Sequence, residues 1–379
     1  MIYMDNAATS FPKPEQVYEA LDYANRNLAF NAGRGGYKGA KEAQMALDTL
    51  KDLLCNMVNI SKNKDFILLT ESATIASNIL INGVKLKKHD VIYISPFEHN
   101  AIVRPLELLR KNVGFEIKVI PFKDDLNLDV EEFKYQLSLN PATHLFITLV
   151  SNVLGNVIDT SKIVDLCVNS KPVVIVDAAQ ALGLVNIEFE KLKCDYMIFA
   201  SHKTLYGPLG LGGIISKRIN KLEPIFAGGT GTDSLNTQIK KVIEVGSPNI
   251  VAIKGLLESI NWINNIGQAK IRDKVRMLME YAIDKLEMID EVTIYSSKLC
   301  EKTGIIAITH DEYSPDEFAG ILDDEFGIAV RSGYQCAPFI HQLIGTKDIG
   351  GVVRISLGYF NERTEIDVLI EAVEKLSEL

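Results

Sequence analysis

The chain has 379 residues, of which 47% are hydrophobic and 23% charged, and its formal net charge at pH 7 is −9. This length and apolar content suffice for a large core and suggest two domains, or one large domain with an appendage. Acidic and basic residues are interspersed without a basic block, which gives nucleic-acid binding little support. No apolar run approaches the roughly 18 residues that span a bilayer, and the sequence does not start with a secretory leader. We therefore expect a soluble cytoplasmic protein that binds neither nucleic acid nor membrane.

The cysteines indicate neither a disulfide framework nor a metal site. Five cysteines is an odd number, and they are widely scattered without a CxxC spacing. They lie at Cys55, Cys167, Cys194, Cys300 and Cys336.

The N-terminal part of the chain is predicted to hold an extended segment followed by two helices. Pro14 suits a helix start, and helical periodicity covers 15–30 and again 40–58. A glycine loop around Arg34 separates the two helices.

From residue 65 onward, predicted strands alternate with predicted helices. This alternation favours a largely parallel sheet that is covered by helices on both faces. Ligands bind such sheets at the carboxyl ends of the strands. The predicted strands are 66–69, 91–95, 116–120, 144–150, 173–176 and 196–200, and the helices between them are 73–83, 100–111, 130–137 and 161–169.

The C-terminal part is predicted to form a smaller α+β domain. Consecutive helices at 249–266 and 268–288 could link it to the rest of the chain. We expect a large domain of residues 15–250 and a small domain of residues 1–14 and 251–379.

One polar stretch, Ser201-His-Lys203, comes directly after the apolar strand 196–200 and before a loop rich in glycine and proline. Burial of a lysine disfavours its ammonium form and lowers its pKa, so that the amine can attack a carbonyl. The product would be a Schiff base, the usual link between a protein and pyridoxal 5′-phosphate (PLP). Taken alone, the stretch would equally suit an ordinary loop with an exposed lysine.

Three further residues follow predicted strands, and each has a structural alternative. Asp177 could pair with a pyridine nitrogen or cap a turn. His99 could stack on a cofactor ring or be a satisfied structural histidine. Asn152 could bind a cofactor or substrate oxygen, or stabilise a turn.

Thr74, Cys336 and Arg354 are also candidates. Thr74 lies at a helix start that could bind an anion, or that could be a plain cap. Cys336 lies in a polar loop and could be a nucleophile or a small buried side chain. Arg354 lies in an apolar strand and could bind a carboxylate of a ligand or of the protein itself.

Taken in order along nearly the whole chain, these motifs resemble the class V aminotransferase family of fold-type I PLP enzymes, and within it the cysteine desulfurases and selenocysteine lyases. The motifs that carry the resemblance are Tyr3-Met-Asp-Asn-Ala-Ala-Thr9, Asp177-Ala-Ala-Gln180, Ser201-His-Lys203, Glu244-Val-Gly-Ser-Pro-Asn249, Arg331-Ser-Gly-x-x-Cys336 and Arg354-Ile-Ser. The resemblance implies an α/β fold with a mostly parallel, seven-stranded type of sheet, and a smaller α+β domain.

The resemblance also implies a role for each residue. Lys203 forms the Schiff base with PLP and moves protons, while Cys336 attacks the substrate sulfur and becomes a persulfide. The catalytic set is Lys203, Cys336 and His99. The cofactor-binding set is Lys203, Asp177, Gln180, His99, Ala73, Thr74, His202, Ser201, Asn152 and Ser247. The substrate-binding set is Arg354, Asn152, Ala8 and Arg331.

The function that follows from the resemblance is conversion of L-cysteine to L-alanine, with a possible protein as sulfur acceptor. Ser247 would reach the phosphate of a second subunit, which implies a homodimer. Two alternatives stay open. One is another reaction of the same family, namely selenocysteine or cysteine-sulfinate cleavage or transamination, and the other is a non-catalytic scaffold.

Overall fold

The structure is a computed structural model that describes residues 1–33, 35–229, 235, 237–238, 244–295 and 301–378. Arg34 and Cys300, which the sequence analysis names, lie outside these residues.

Strands and helices alternate along most of the described chain. The strands are β1 (Ile2–Tyr3), β2 (Ile67–Thr70), β3 (Val91–Ile94), β4 (Glu116–Val119), β5 (His144–Thr148), β6 (Val173–Asp177), β7 (Tyr196–Ala200), β8 (Gly212–Ile215), β9 (Val292–Ile294), β10 (Ile305–His310), β11 (Ile328–Ala329) and β12 (Val353–Ser356). The helices are α1 (Glu15–Asn27), α2 (Lys38–Met57), α3 (Ala73–Gly83), α4 (Asn100–Val113), α5 (Val130–Leu139), α6 (Thr160–Leu166), α7 (Ile250–Ile266), α8 (Gln268–Leu286), α9 (Pro315–Phe326), α10 (Ile340–Leu343) and α11 (Arg363–Ser377).

The largest sheet has seven strands in the order β2-β8-β7-β6-β5-β3-β4. Strands β4, β3, β5, β6 and β7 are parallel neighbours, whereas β8 runs antiparallel to both β7 and β2. The predicted α/β fold with a mostly parallel sheet of seven strands is therefore confirmed. Because β3, β5, β6 and β7 are parallel, their carboxyl ends lie along one edge.

Both faces of this sheet are covered. One hydrophobic cluster joins the sheet to α2 and α7, and a second joins it to α3 and α4. All five residues of β5 and of β7 are buried. Burial on both faces explains why these strands read as continuous apolar runs and not as alternating ones.

The C-terminal part forms a second layer with its own core. Strands β9, β10 and β12 make an antiparallel sheet that packs with α8, α9 and α11. Strand β1 pairs in parallel with β11, so the start of the chain joins this layer. Helix α7 packs against α1 and α2. The division into a domain of residues 15–250 and one of residues 1–14 and 251–379 stays a prediction.

Most predicted elements exist, and their ends differ from the predicted ends by a few residues. Helix α6, for example, ends at Leu166 and not at residue 169, because the backbone N–H and the hydroxyl of Ser170 both turn back to the carbonyl of Cys167. Among the described helices, none is long and apolar enough to cross a membrane.

Candidate active site

The parallel edge of the large sheet brings four predicted site residues to neighbouring strand ends. Asp177 is the last residue of β6, and Lys203 follows β7. His99 lies between β3 and α4, and Asn152 follows β5. Since β3, β5, β6 and β7 are consecutive in the sheet, residues far apart in sequence form one site.

Lys203 and Asp177 influence each other's charge. Burial lowers the pKa of Lys203, and Arg354 and Arg331 lower it further, while the carboxylate of Asp177 acts in the opposite direction. Burial raises the pKa of Asp177, and Lys203 together with the N–H of Ala179 opposes this. The amine is therefore shifted toward its neutral, nucleophilic form.

Asp177 and Gln180 are fixed by backbone groups. The backbone N–H of Ala179 donates to Asp177 Oδ1 at 2.9 Å. The side chain of Gln180 donates from Nε2 to the carbonyl of Ala7 at 2.7 Å. The second bond places the N-terminal segment against this edge of the sheet.

His99 is a neutral ring at physiological pH. It is the N-cap of α4, and its Nδ1 accepts a hydrogen bond from the N–H of Ala101 at 3.0 Å, so the proton of the neutral ring is on Nε2. Burial lowers the pKa of His99 to about 4, and the cations Lys203 and Arg331 contribute. A flat, uncharged ring is suited to stacking on another ring.

The backbone just before Lys203 is held by the N-terminal segment. The carbonyl of His202 accepts from the Ser10 N–H at 2.9 Å, from Thr9 Oγ1 at 3.0 Å and from Lys13 Nζ at 3.1 Å. Burial lowers the pKa of Lys13 to about 8. These donors fix the peptide that carries Lys203.

Residues near the start of α3 and the end of β7 offer donors for an anion. The first N–H groups of α3, at Ala73 and Thr74, have no acceptor within the helix. Ser201 Oγ and His202 Nδ1 are buried, and neither has a hydrogen-bond partner within the described residues. Buried polar groups are rarely left unpaired, so these two atoms favour a bound ligand.

Cys336 lies on a loop between β11 and α10 that is docked on the same edge. The side chain of Asn152 donates to the carbonyl of Gln335 at 2.8 Å, and the Asn100 N–H donates to the carbonyl of Cys336 at 2.7 Å. Arg331 Nη2 lies 3.8 Å from the sulfur of Cys336. Cys336 is partly exposed, whereas Cys55, Cys167 and Cys194 are buried.

Tertiary contacts hold this loop in a backbone conformation that is unfavourable for its residues. Gln335 and Cys336 have φ values of 42° and 59°, in the left-handed region that disfavours residues with a side chain. The buried Gln335 side chain donates to the carbonyl of Val352 at 3.1 Å. Gly351 lets the backbone that precedes β12 approach this loop, because a Cβ there would lie 2.2 Å from the carbonyl oxygen of Gly333.

Arg354 is 1% exposed and already holds two partners. Its Nη1 donates to the carbonyl of Asn152 at 2.9 Å, and its Nη2 pairs with Asp5 Oδ1 at 2.5 Å. Its Nε has no partner in the described part of the chain. A buried guanidinium whose Nε–H is unpaired can donate to a further anionic oxygen.

Two predicted residues have other surroundings. Ser247 is exposed, and its hydroxyl accepts from Asn31 Nδ2 at 3.0 Å. Ala8 is half-buried in the N-terminal segment, where its N–H donates to the carbonyl of Asp5.

The sequence motifs indicate no role for Glu98, Asp5, Lys13 or Gln335, all of which contact the site or support it. Glu98 carried a signal, because an acidic residue only four positions after the end of a mostly buried strand can be buried too, and must then be paired or protonated. The contacts of Asp5 and Lys13 depend on distant segments, and no local pattern indicates them.

Comparison with known proteins shows one family over nearly the whole chain. The profile of the family described as aminotransferase class-V matches residues 2–369. A cysteine desulfurase of Wigglesworthia glossinidia brevipalpis is 31% identical over 99% of this chain and 92% of its own length. A cysteine desulfurase of Haloferax volcanii is 27% identical over 100% of this chain and 90% of its own. The solved apo structure of a cysteine desulfurase from Thermococcus onnurineus NA1 superposes with a TM-score of 0.91 at 26% identity, over 100% of this chain and 94% of that one.

Proposed function

The chain belongs to the aminotransferase class-V family, and from that premise we propose that it is a PLP-dependent cysteine desulfurase that converts L-cysteine to L-alanine. The observation that carries this proposal is the thiol of Cys336, which is partly exposed on a loop docked beside the strand ends that carry Lys203. Plain transamination has no use for a thiol at this place.

The residues at the edge of the sheet fit PLP. The amine of Lys203 would bind its aldehyde, Asp177 its ring nitrogen, and His99 one ring face, while Gln180 would face the ring hydroxyl. The unpartnered Ser201 Oγ and His202 Nδ1 support a phosphate site. In the proposal, the phosphate site comprises Ala73, Thr74, Ser201, His202 and, from a second copy in a homodimer, Ser247.

Bound PLP would supply the electron sink that cleavage at the substrate β-carbon requires. Arg354 would hold the substrate carboxylate, with Asn152 fixed beside it by the bond from Arg354 Nη1. Ala8 and Arg331 would line the rest of the substrate site. The short path from Asn152 to the carbonyl of Gln335 couples this site to the thiol loop.

Sulfur transfer then needs one bond to form and one to break. The thiolate of Cys336 forms an S–S bond with the sulfur of bound cysteine, and the bond between that sulfur and the β-carbon breaks. The electron pair of the broken bond leaves with the carbon, Lys203 returns a proton to it, and alanine departs. Cys336 keeps the sulfur as a persulfide, which a thiol or a protein acceptor can take.

The test is substitution of the thiol, Cys336→Ser. We expect formation of alanine and sulfide from L-cysteine in the presence of a reductant to fall at least about 100-fold, because a hydroxyl cannot form the persulfide. The visible absorbance of bound PLP should stay as in the unsubstituted protein, since Cys336 does not hold the cofactor.

Ser332→Ala, a truncation in the same loop, is the matched control and should keep its activity. Unchanged sulfide release by Cys336→Ser would contradict the role of Cys336. The second candidate, cleavage of selenocysteine or cysteine sulfinate, is favoured by the cationic Arg331 beside the sulfur position. It would replace the first if the unsubstituted protein cleaved those substrates and released no sulfide from L-cysteine.

A further inference from the structure

Glu98 is an acidic residue of the site that the proposed reaction leaves unused. It directly precedes His99 in the turn between β3 and α4, and its exposed fraction is 0%. A completely buried carboxyl group must be either paired or uncharged.

The hydrogen bonds of Glu98 distinguish its two oxygens. Oε1 accepts from Ser95 Oγ at 2.6 Å and from the backbone N–H of Thr148 at 2.5 Å. Oε2 has no partner among the residues that the structure describes. The hydroxyl oxygen of Thr148 is also buried, and it too lacks a partner there. An ionised carboxyl group would leave Oε2 buried with negative charge and no donor, whereas protonation removes that charge.

The charges around Glu98 also favour its protonated, uncharged state. Asp177 is the charged group that acts on it, and none of the ion pairs between described residues includes Glu98. Burial is the largest cause that raises the pKa of Glu98, to about 8, and Asp177 adds to it, while the bonds from Ser95 and Thr148 oppose it.

We propose that Glu98 is a protonated positioning residue, whose carboxyl group ties the turn that carries His99 to the end of β5. The tie is the bond from the Thr148 N–H to Glu98 Oε1. Thr148 lies opposite Asp177 in the register of β5 and β6. The neutral acid therefore connects the supports of His99 and Asp177 without adding a negative charge beside Asp177.

The effect of Glu98 on PLP binding rests on the proposed function, whereas the protonation of Glu98 itself does not. Ionisation of Glu98 would place a second anion near Asp177 and raise the pKa of that carboxyl group. Asp177 would then pair less well with a protonated ring nitrogen.

The decisive variant is Glu98→Gln, compared with Glu98→Ala. Glutamine keeps an oxygen for Ser95 and the Thr148 N–H, and like a protonated carboxyl group it carries no charge. We expect Glu98→Gln to keep the visible PLP absorbance of the unsubstituted protein, and Glu98→Ala to lose at least half of it. If Glu98→Gln lost as much as Glu98→Ala, the group would act as a carboxylate and the proposal would be overturned.

A second readout needs neither PLP nor activity. Because the folded-state pKa is above the ordinary value of 4.5, the protein loses stability as pH rises from 4.5 toward 8. Glu98→Gln lacks this loss, so its melting temperature relative to the unsubstituted apoprotein should rise between pH 5.5 and pH 8. Glu107→Gln, on the exposed side of α4, is the control and should show no such trend. A relative melting temperature for Glu98→Gln that is constant or falls over this range would overturn the proposal.

Discussion

At the scale of single residues, burial decides which groups of the site carry charge. His99 and Lys203 are both bases whose pKa is lowered mainly by burial, and Asp177 and Glu98 are both acids whose pKa is raised mainly by burial. The two acids differ in their partners. Asp177 has the amine of Lys203 within electrostatic reach, whereas Glu98 has hydroxyl and amide donors, so only Asp177 is suited to act as an anion.

Burial also lowers the pKa of Lys13, which supports the site through its bond to the carbonyl of His202. Its amine donates to Ser10 Oγ at 2.8 Å and to the carbonyl of His202 at 3.1 Å, which are uncharged acceptors. An ammonium group buried among neutral acceptors is only partly compensated for the loss of water, and its pKa is lowered to about 8.

This lowered pKa predicts a pH effect on stability. The unfolded chain binds the Lys13 proton up to a pH near 10.5, whereas the folded chain releases it near 8, so Lys13 makes the protein more stable as pH rises through that window. The substitution Lys13→Gln should remove this gain. Melting temperatures measured at pH 7.5 and pH 10 should therefore rise less, or fall more, in the variant than in the unsubstituted protein.

Lys38 supplies the control for this measurement, because its side chain is 91% exposed. Lys38→Gln should follow the unsubstituted protein at both pH values. An equal pH response of Lys13→Gln and Lys38→Gln would show that Lys13 keeps an ordinary pKa in the folded protein.

At the scale of elements, contacts across long sequence distances assemble the site. Asp5, which follows β1, pairs with Arg354 on β12, 349 positions away. Arg331 and Arg354 form an antiparallel bridge through their backbones. The N-terminal segment therefore positions both the arginine proposed to bind substrate and, through His202, the lysine proposed to bind PLP.

The ion pair predicts a cost for Asp5→Asn. Removing one partner of a fully buried pair costs about 3–5 kcal/mol, and the side chain of Asp5 is 20% exposed, so we expect a smaller loss of about 1–3 kcal/mol. Chemical denaturation measures this loss as a lower midpoint at unchanged slope.

Asp22→Asn is the matched control, since the pair of Asp22 with Arg26 on α1 is exposed, at 65% and 73%. Exposed pairs contribute about 0–1 kcal/mol. If Asp5→Asn cost no more than Asp22→Asn, Asp5 would not be an anchor of Arg354.

Local patterns predicted the elements better than their connections. Strands β5 and β7 were predictable because continuous apolar runs are typical of strands covered on both faces. The antiparallel direction of β8 and the pairing of β1 with β11 were not, because direction and pairing depend on distant strands. The sequence places Gln335 in the cysteine loop, but its buried bond to Val352 follows from tertiary packing.

At the scale of the whole molecule, the sheet and the C-terminal layer give the candidate site its two sides. The large sheet presents Lys203, Asp177 and His99 at the ends of parallel strands, and the C-terminal layer presents Cys336 and Arg354. The resemblance to a known family, which the order of these motifs along the chain carries, indicated which residues should form the site. It did not supply the protonation of Glu98, which depends on three separate segments meeting in the core.

The central claim is that the amine of Lys203 carries PLP, and reductive trapping tests it directly. Borohydride reduction of the holoprotein should fix PLP to Lys203, and trypsin should then fail to cleave there. Mass spectrometry should find one peptide from Cys194 to Lys217 that carries the mass of reduced PLP, and Lys203→Ala should yield none. Trapped PLP on a different lysine, or no trapped PLP at all in the unsubstituted protein, would contradict the account.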